Sequence, residues 1–340
     1  MNIFQPPPIP QPPQPEPKPV LLFSGGRTSG YMLYHMLKSV PDYREKYLTV
    51  FCNTGREMPQ TLDFVRDVEQ NWNVPIVWLE YDRKQAEEIP EGIYPTSRRN
   101  LNLKKAAELG QSAHWFKRVA YDTASRDGEP FDTLIKWMSV LPNVVSRGCS
   151  MQLKIRTAMR YIFSLGYKEY VSNIGIRKDE AHRAVQILSN CDSFEHPQFP
   201  LIEDGITEKD VLGFWAAHPF DLQLRSFEGN CDLCFLKAKY KRIMMARRNP
   251  NALKWWLDKE KEKSEVGNGA MFRKGEPYSM IQTLAKTPNK ELPTRLRNQI
   301  EAAESDKRIR ETDPEDFDIP CSCAEKGFGE IGEEIENPES

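Results

Sequence analysis

Cys231-Asp232-Leu233-Cys234 is a C-x-x-C, a spacing that lets two thiolates reach one metal ion. Gly229 precedes it, and Lys237, Lys239, Lys241 and Arg242 follow. Cys149 stands upstream in Arg147-Gly148-Cys149-Ser150, with Lys154 shortly after, and Cys321 and Cys323 stand far downstream behind Pro320. Ser24-Gly25-Gly26-Arg27-Thr28-Ser29-Gly30 offers a different chemistry. Its glycines free backbone N–H groups to surround an anion at the start of a helix, where the dipole also favours negative charge. Ser24, Thr28 and Ser29 add hydroxyl donors, and Arg27 adds charge. No Gly-Lys-Ser/Thr ending is present, so this is no Walker loop. The bland alternative is an ordinary strand-to-helix turn. Two charged turns complete the set: Asn53-Thr54-Gly55-Arg56-Glu57, and Gly175-Ile176-Arg177-Lys178-Asp179-Glu180 with Arg183 beyond it. The bland alternative for the second of these is a solvated charged turn.

The hydrophobic pattern supplies a scaffold for these residues. Val20-Leu21-Leu22-Phe23 is a short apolar run entering the glycine turn, which predicts a buried strand, and Ser29 to Val40 then reads as a helix. A strand over Tyr47–Cys52, a helix beginning near Pro59 and running to Trp72, and a strand over Val74–Tyr81 follow. This alternation predicts an α/β fold: a Rossmann-like parallel sheet with helices on both faces, plus a helical C-terminal extension. A helix over Met151–Leu165 leads to a strand over Lys168–Ile176, and Thr207 caps a helix reaching His218. Residues 235–262 are basic and helical and contain Trp255-Trp256. In open parallel sheets ligands bind beyond the carboxyl ends of the strands, and the glycine turn and both charged turns fall at such ends.

Residues 1–19 hold nine prolines and form an extended tail. Residues 20–240 are read as one α/β domain, with an insertion near 82–146; 241–300 are the helical extension and 301–340 an acidic flexible tail. The 340 residues are 39% hydrophobic and 28% charged, with a net charge of −2. That total hides an asymmetry. Residues 301–340 carry fourteen Asp and Glu against four Lys and Arg, net −10, whereas the first 300 carry 43 Lys and Arg against 35 Asp and Glu, net +8. A polyanionic partner is therefore not excluded. No apolar run approaches the roughly 18 residues of a membrane span, and the N-terminus lacks the pattern of a signal peptide. Seven scattered cysteines do not form a secreted disulfide framework, so the expected setting is reducing and cytoplasmic.

Together the strand-end motifs resemble the phosphoadenylyl-sulfate (PAPS) reductase family, within the adenine-nucleotide alpha-hydrolase (PP-loop) superfamily. Ser24-Gly25-Gly26 through Ser29 resembles the family's phosphate loop. Asn53-Thr54-Gly55 with Pro59-Gln60-Thr61 is similar to its Asp-Thr-Gly…Pro-Glu-Thr segment, Asn53 and Gln60 replacing the acidic residues. Gly175, Arg177, Asp179 and Arg183 resemble its Gly-x-Arg-x-Asp…Arg turn, and Pro200-Leu201 with Thr207, Asp210 and Val211 its Pro-Leu…Thr…Asp-Val segment. The resemblance spans residues 20–240. It implies that the first strand and Ser24–Ser29 hold an adenine nucleotide, PAPS or ATP, with Mg in the ATP case.

The resemblance also bears on the cysteines. In the family's iron–sulfur branch a Cys-Cys pair and a later C-x-x-C bind a [4Fe–4S] cluster; Cys149, Cys231 and Cys234 match three of those positions, Ser150 replaces the fourth, and Lys154 matches the basic residue that follows. Zinc is the competing metal. The reductases carry a C-terminal nucleophilic cysteine in a Glu-Cys-Gly-hydrophobic-His context, which Cys321 and Cys323 match in order along the chain but not in surroundings. The expected activity is thiol-dependent reduction of PAPS or a close analogue. One alternative is an ATP pyrophosphatase-type sulfurtransferase that adenylates and thiolates a nucleobase or nucleic acid, served by a sulfur donor protein. Another is a non-catalytic nucleotide or nucleic-acid binder, using Lys237, Lys239, Lys241, Arg242, Arg247 and Arg248 on a phosphate backbone, where the bland reading is a solvated helix face. Cys52 ends a core strand and is read as structural, Cys191 as a passive thiol and His182 as a surface histidine.

Overall fold

The computed structural model describes residues 16–83, 115–138, 140–145, 147–225, 227–265 and 271–305. Most of the Pro-rich tail, residues 84–114 of the expected insertion and residues 306–340 of the acidic tail, with Cys321 and Cys323, lie outside the described residues.

The strands β1 (Lys18–Leu22), β2 (Leu48–Asn53), β3 (Ile76–Tyr81), β4 (Phe116–Val119), β5 (Tyr170–Ile174) and β6 (Glu195–Gln198) form one sheet in the order β4-β3-β2-β1-β5-β6. All neighbours run parallel except β3 and β4. Val20 of β1 lies opposite Leu48 of β2 on one side and Ser172 of β5 on the other. The chain goes from β1 outward to β2 and β3, then returns to β5 and β6 on the other side. The carboxyl ends of β1 and β5 therefore flank the point where strand order reverses, the crevice in which such sheets bind ligands.

Side chains alternate along the strands, and the two faces are buried separately. Leu21, Phe51 and Trp78 pack with α1 (Arg27–Ser39) and α3 (Pro59–Asn71), through Met32, Leu33, Phe64 and Val65. The short α2 (Tyr43–Lys46) lies between those helices in sequence. Val20, Val50, Cys52 and Leu79 pack on the opposite face against Ala158, Met159 and Ile162 of α5 (Arg156–Ser164). The α/β sheet with helices on both faces is thus observed, and its central strands are buried along nearly their whole length because both faces are covered.

Several elements differ from the sequence reading. β1 starts at Lys18 because Lys18 and Pro19 pair with Tyr170 and Val171. β4 and β6 were not expected: Phe-Lys-Arg-Val and Glu-His-Pro-Gln carry too little apolar signal, and each pairs with a neighbour on one side only. The expected helix over 151–165 opens as a wide π-helical segment, Cys149–Ile155, before α5 begins. The helices α4 (Glu129–Met138), α6 (Ala181–Asn190), α7 (Pro200–Glu203) and α8 (Glu208–Ala217) follow, α8 being capped by Thr207 and Asp210 as the sequence suggests.

The basic stretch splits at Asn249-Pro250 into α9 (Lys239–Arg248) and α10 (Pro250–Ser264), because the Asn249 side chain accepts from Ala252 N and Pro250 takes the first turn. The chain stays helical past Lys263, in α11 (Tyr278–Lys286) and α12 (Thr294–Ser305). These four helices build a second core around Phe235, Trp256, Phe272 and Tyr278, joined by Phe131 and Leu134 of α4. Among the described residues, no helix is long and apolar enough to cross a membrane.

Candidate functional site

Three loops meet at the carboxyl edge of β1, β2 and β5. Gly25 has φ +78°, and a Cβ there would sit 2.7 Å from Thr61 Cγ2 of α3, so only glycine lets the turn close on that helix. A Cβ on Gly175 would lie 3.1 Å from Ser29 Cα, so the loop after β5 lies directly against the start of α1. Within the turn, Ser24 N donates to Ser29 Oγ at 3.2 Å, the two hydroxyls are 2.9 Å apart, and Ser29 Oγ donates to Gly26 O at 3.0 Å. These bonds fix the turn around the N-terminus of a 13-residue helix whose dipole favours an anion.

Arg27 does not supply the charge that the sequence reading gave it. Its guanidinium points away, donating to Asp221 at 2.6 and 2.7 Å and to Leu224 O at 3.3 Å. It is buried, and it straps the turn to the segment after α8. Arg177 instead reaches across to the glycine turn. It is 2% exposed, donates to Thr28 Oγ1 at 3.0 Å, and faces Asp179 at 3.2 Å and Glu180 at 3.4 Å. It therefore links the β5 loop to the glycine turn. Arg183 pairs with Glu180, and its Nε is buried without a hydrogen-bond partner.

The turn after β2 is buried throughout. Asn53 donates to Glu80 at 2.7 Å and to Ser125 O at 2.8 Å, and accepts from Gly55 N at 3.0 Å, so it shapes the turn. Gly55 is required there, since a Cβ would meet Ser125 Oγ at 2.7 Å. Arg56 pairs with Asp232, whose backbone N–H donates to Arg56 O at 2.8 Å, and its guanidinium stacks 4.9 Å from the Trp255 ring. Burial pushes the Asp232 carboxyl up to about 6, although Arg56 and the Trp256 indole oppose the shift.

Glu57 was quoted in the motif but given no role, and it is the centre of this turn. One oxygen accepts from Thr54 N at 2.8 Å and Thr54 Oγ1 at 2.7 Å. The other lies 3.3 Å from Lys154 Nζ and accepts from the Cys231 thiol at 3.7 Å. Lys154 reaches it from the π-helical segment. Asn230 was missed as well: its side chain donates to Ser24 O at 2.9 Å, and its own carbonyl accepts from Met58 N at 2.6 Å. Gly229 and the adjoining C-x-x-C were the available signals. Asn230 thus ties the cysteine segment to both the glycine turn and the β2 turn.

The cysteines sort by surroundings. Cys52 is buried and its thiol is pushed up to about 12, chiefly by burial. Cys191 ends α6, donating to Leu188 O at 3.4 Å. Cys149, Cys231 and Cys234 are partly buried and carry no disulfide. Among the described residues no three or more His, Cys, Asp or Glu side chains are grouped so as to hold a metal ion. Ser150 replaces one thiol of the family's cluster set, and the Cys231 thiol donates to the buried Glu57 carboxylate.

The basic helix also departs from expectation. Lys241 and Arg242 on α9 are buried, Arg242 pairing with Glu276, and Arg247 donates to Asn289 and two backbone carbonyls of the following segment. Trp256 is 1% exposed. Lys241, Arg242 and Trp256 are therefore packed inside and not on a solvated helix face.

A family model for the phosphoadenosine phosphosulfate reductase domain matches residues 18–218. The chain belongs to that family. The match ends at the close of α8, so the C-x-x-C segment and helices α9 to α12 follow the family domain. The chain is also 30% identical over 230 residues to the uncharacterized nin region protein ORF290 of Escherichia phage lambda, covering 65% of this chain and 67% of that one. Among solved structures, it is similar to PAPS reductase from Candida auris in a phosphate complex: 18% identity, 61% of this chain, 76% of that chain and a TM-score of 0.31.

Proposed function

We propose that this PAPS reductase-family protein binds an adenine nucleotide at the glycine turn and reduces a sulfonyl nucleotide, phosphoadenylyl sulfate or a close analogue, with protein thiols. The carrying observation is the junction at the strand reversal. The Ser24–Ser29 turn, Gly175 and Arg177 converge there at a helix N-terminus, with Cys231 held beside them through Asn230. In this reading Ser24, Gly25, Gly26, Thr28 and Ser29 surround the phosphates and sulfate, and Arg177 and Arg183 contact further anionic oxygens. Asn53, Thr54 and Gly55 shape the neighbouring turn, and Arg27 holds the phosphate loop in place from behind. Cys321 and Cys323 keep their place as alternative nucleophiles.

The test is incubation with phosphoadenylyl sulfate and a dithiol, following sulfite and adenosine bisphosphate. Sulfite release at a rate that depends on enzyme is expected. AMP formed from ATP in a parallel reaction, without sulfite from the sulfonyl nucleotide, would replace this reading with the sulfurtransferase one.

A further inference from the structure

We infer that Cys231 and Cys234 are the dithiol that reduces the bound nucleotide, an inference that rests on the reading above. Asp232 and Leu233 are the central residues of a turn between them, with Leu233 at φ +44°. A turn of this kind brings its outer Cα atoms within about 7 Å, close to the separation that a disulfide spans. Both cysteines are partly exposed, and neither is in a disulfide. Cys231 lies in a built environment: its thiol donates to Glu57 Oε1 at 3.7 Å, and Lys154 Nζ is 3.3 Å from the same oxygen. The thiol and the lysine thus share one carboxylate oxygen, which can take the thiol's proton while the ammonium offsets its charge. Asn230, the preceding residue, is bonded to Ser24 O at 2.9 Å, so the thiol segment is fastened to the turn where the anion would lie.

The chemistry balances with these two sulfurs. Cys231 Sγ attacks the sulfonyl sulfur, forming an S–S bond, while the S–O bond to the nucleotide phosphate breaks and the nucleotide leaves with the electron pair. The thiol proton passes to Glu57 Oε1, the atom that it already faces. Cys234 Sγ, losing its proton to water, then attacks Cys231 Sγ. A disulfide forms, sulfite leaves with the bonding pair, sulfur falls from the +6 to the +4 state, and two thiols are oxidised. A small-molecule or protein dithiol restores the pair. Glu57 and Lys154 act on the thiol and are catalytic in this sense; Asn230 is a positioning residue.

A single-turnover experiment decides it. The full chain is reduced with a dithiol, freed of reductant, mixed with phosphoadenylyl sulfate, alkylated and peptide-mapped. The expected result is one sulfite per chain and a Cys231–Cys234 disulfide, with Cys149, Cys321 and Cys323 still alkylated. Cys234→Ser should stop at a thiosulfonate adduct on Cys231, and Cys231→Ser should form no adduct. Sulfite released while Cys231 and Cys234 remain alkylated, or an adduct on Cys321 or Cys323, would overturn this inference and leave the proposed function standing. Four irons with matching sulfide in anaerobically purified protein would also overturn it. Nucleotide binding without sulfite release under any reductant would remove both.

Discussion

At the carboxyl edge of the sheet, Arg27 faces Asp221, Arg56 faces Asp232 and Lys154 faces Glu57. In the helical layer, the buried carboxylate of Glu260 instead accepts from two backbone N–H groups, Phe272 at 3.2 Å and Tyr278 at 2.7 Å. The contrast separates two uses of buried charge. Side-chain pairs at the edge can redistribute their hydrogen bonds toward an incoming anion or thiolate, and their pre-set geometry lowers the cost of doing so. A carboxylate bonded to backbone N–H groups has no such freedom; it fixes the chain between α10 and α11. Glu57 at the edge does both, one oxygen held by the Thr54 N–H and the other facing Lys154.

The first way to break that contrast is to open the layer. Trp256→Ala removes the largest fully buried side chain and should cost about 3–5 kcal/mol, read as a shift of the denaturant midpoint. A loss below about 1 kcal/mol would mean that the layer collapses around the cavity. At the edge, Arg177→Ala removes charge-assisted bonds worth about 1.5–3 kcal/mol, so nucleotide affinity should fall roughly 10–100-fold by calorimetric titration. Unchanged affinity would detach Arg177 from the nucleotide.

Glu260 sharpens the comparison through pH. Burial raises its carboxyl above the ordinary 4.5, against its two backbone bonds. A carboxyl with a raised value keeps its proton in the fold where the unfolded chain has released it. Stability should therefore decline as pH rises from about 4.5 toward the raised value. Glu260→Gln, which does not ionise, should flatten that part of a midpoint-against-pH curve; an identical slope in both proteins would be evidence against the assignment. The smallest effect belongs outside both regions. His35 and Asp204 form an exposed pair at 2.6 Å, and Asp204→Asn should change stability by roughly 0.5 kcal/mol or less, with nucleotide binding unaltered.

Much of the fold was legible because short apolar runs and helix caps are local. Val20 to Phe23, Pro59 and Thr207 each announce an element from a few neighbours. β4 and β6 were not legible, since short polar strands owe their existence to a partner strand and not to their own pattern. The second core was missed for a related reason. The apolar residues of α11 and α12, Tyr278, Ile281, Leu296 and Ile300, are spaced among many charges, and only packing reveals that they face inward.

The same division runs through the site. The glycine turn, the two charged turns and the C-x-x-C were evident from residue type and spacing. Which arginine faces the crevice was not: Arg27 and Arg177 look alike in sequence, and only the position of Asp221 and Thr28 separates them. Glu57 looked like one more charged residue until Lys154 and Cys231 were found on the same oxygen.

The sequence by itself determined the alternation of strand and helix, the glycines that allow close backbone approach, and the family to which those motifs point. Tertiary structure alone decided which charges are committed to each other and which thiol lies on the segment tied to the glycine turn. Those choices depend on contacts between residues far apart in the chain, Cys231 with Glu57 and Asn230 with Ser24 among them. No local pattern encodes such a contact, because each partner's own neighbours are compatible with many others.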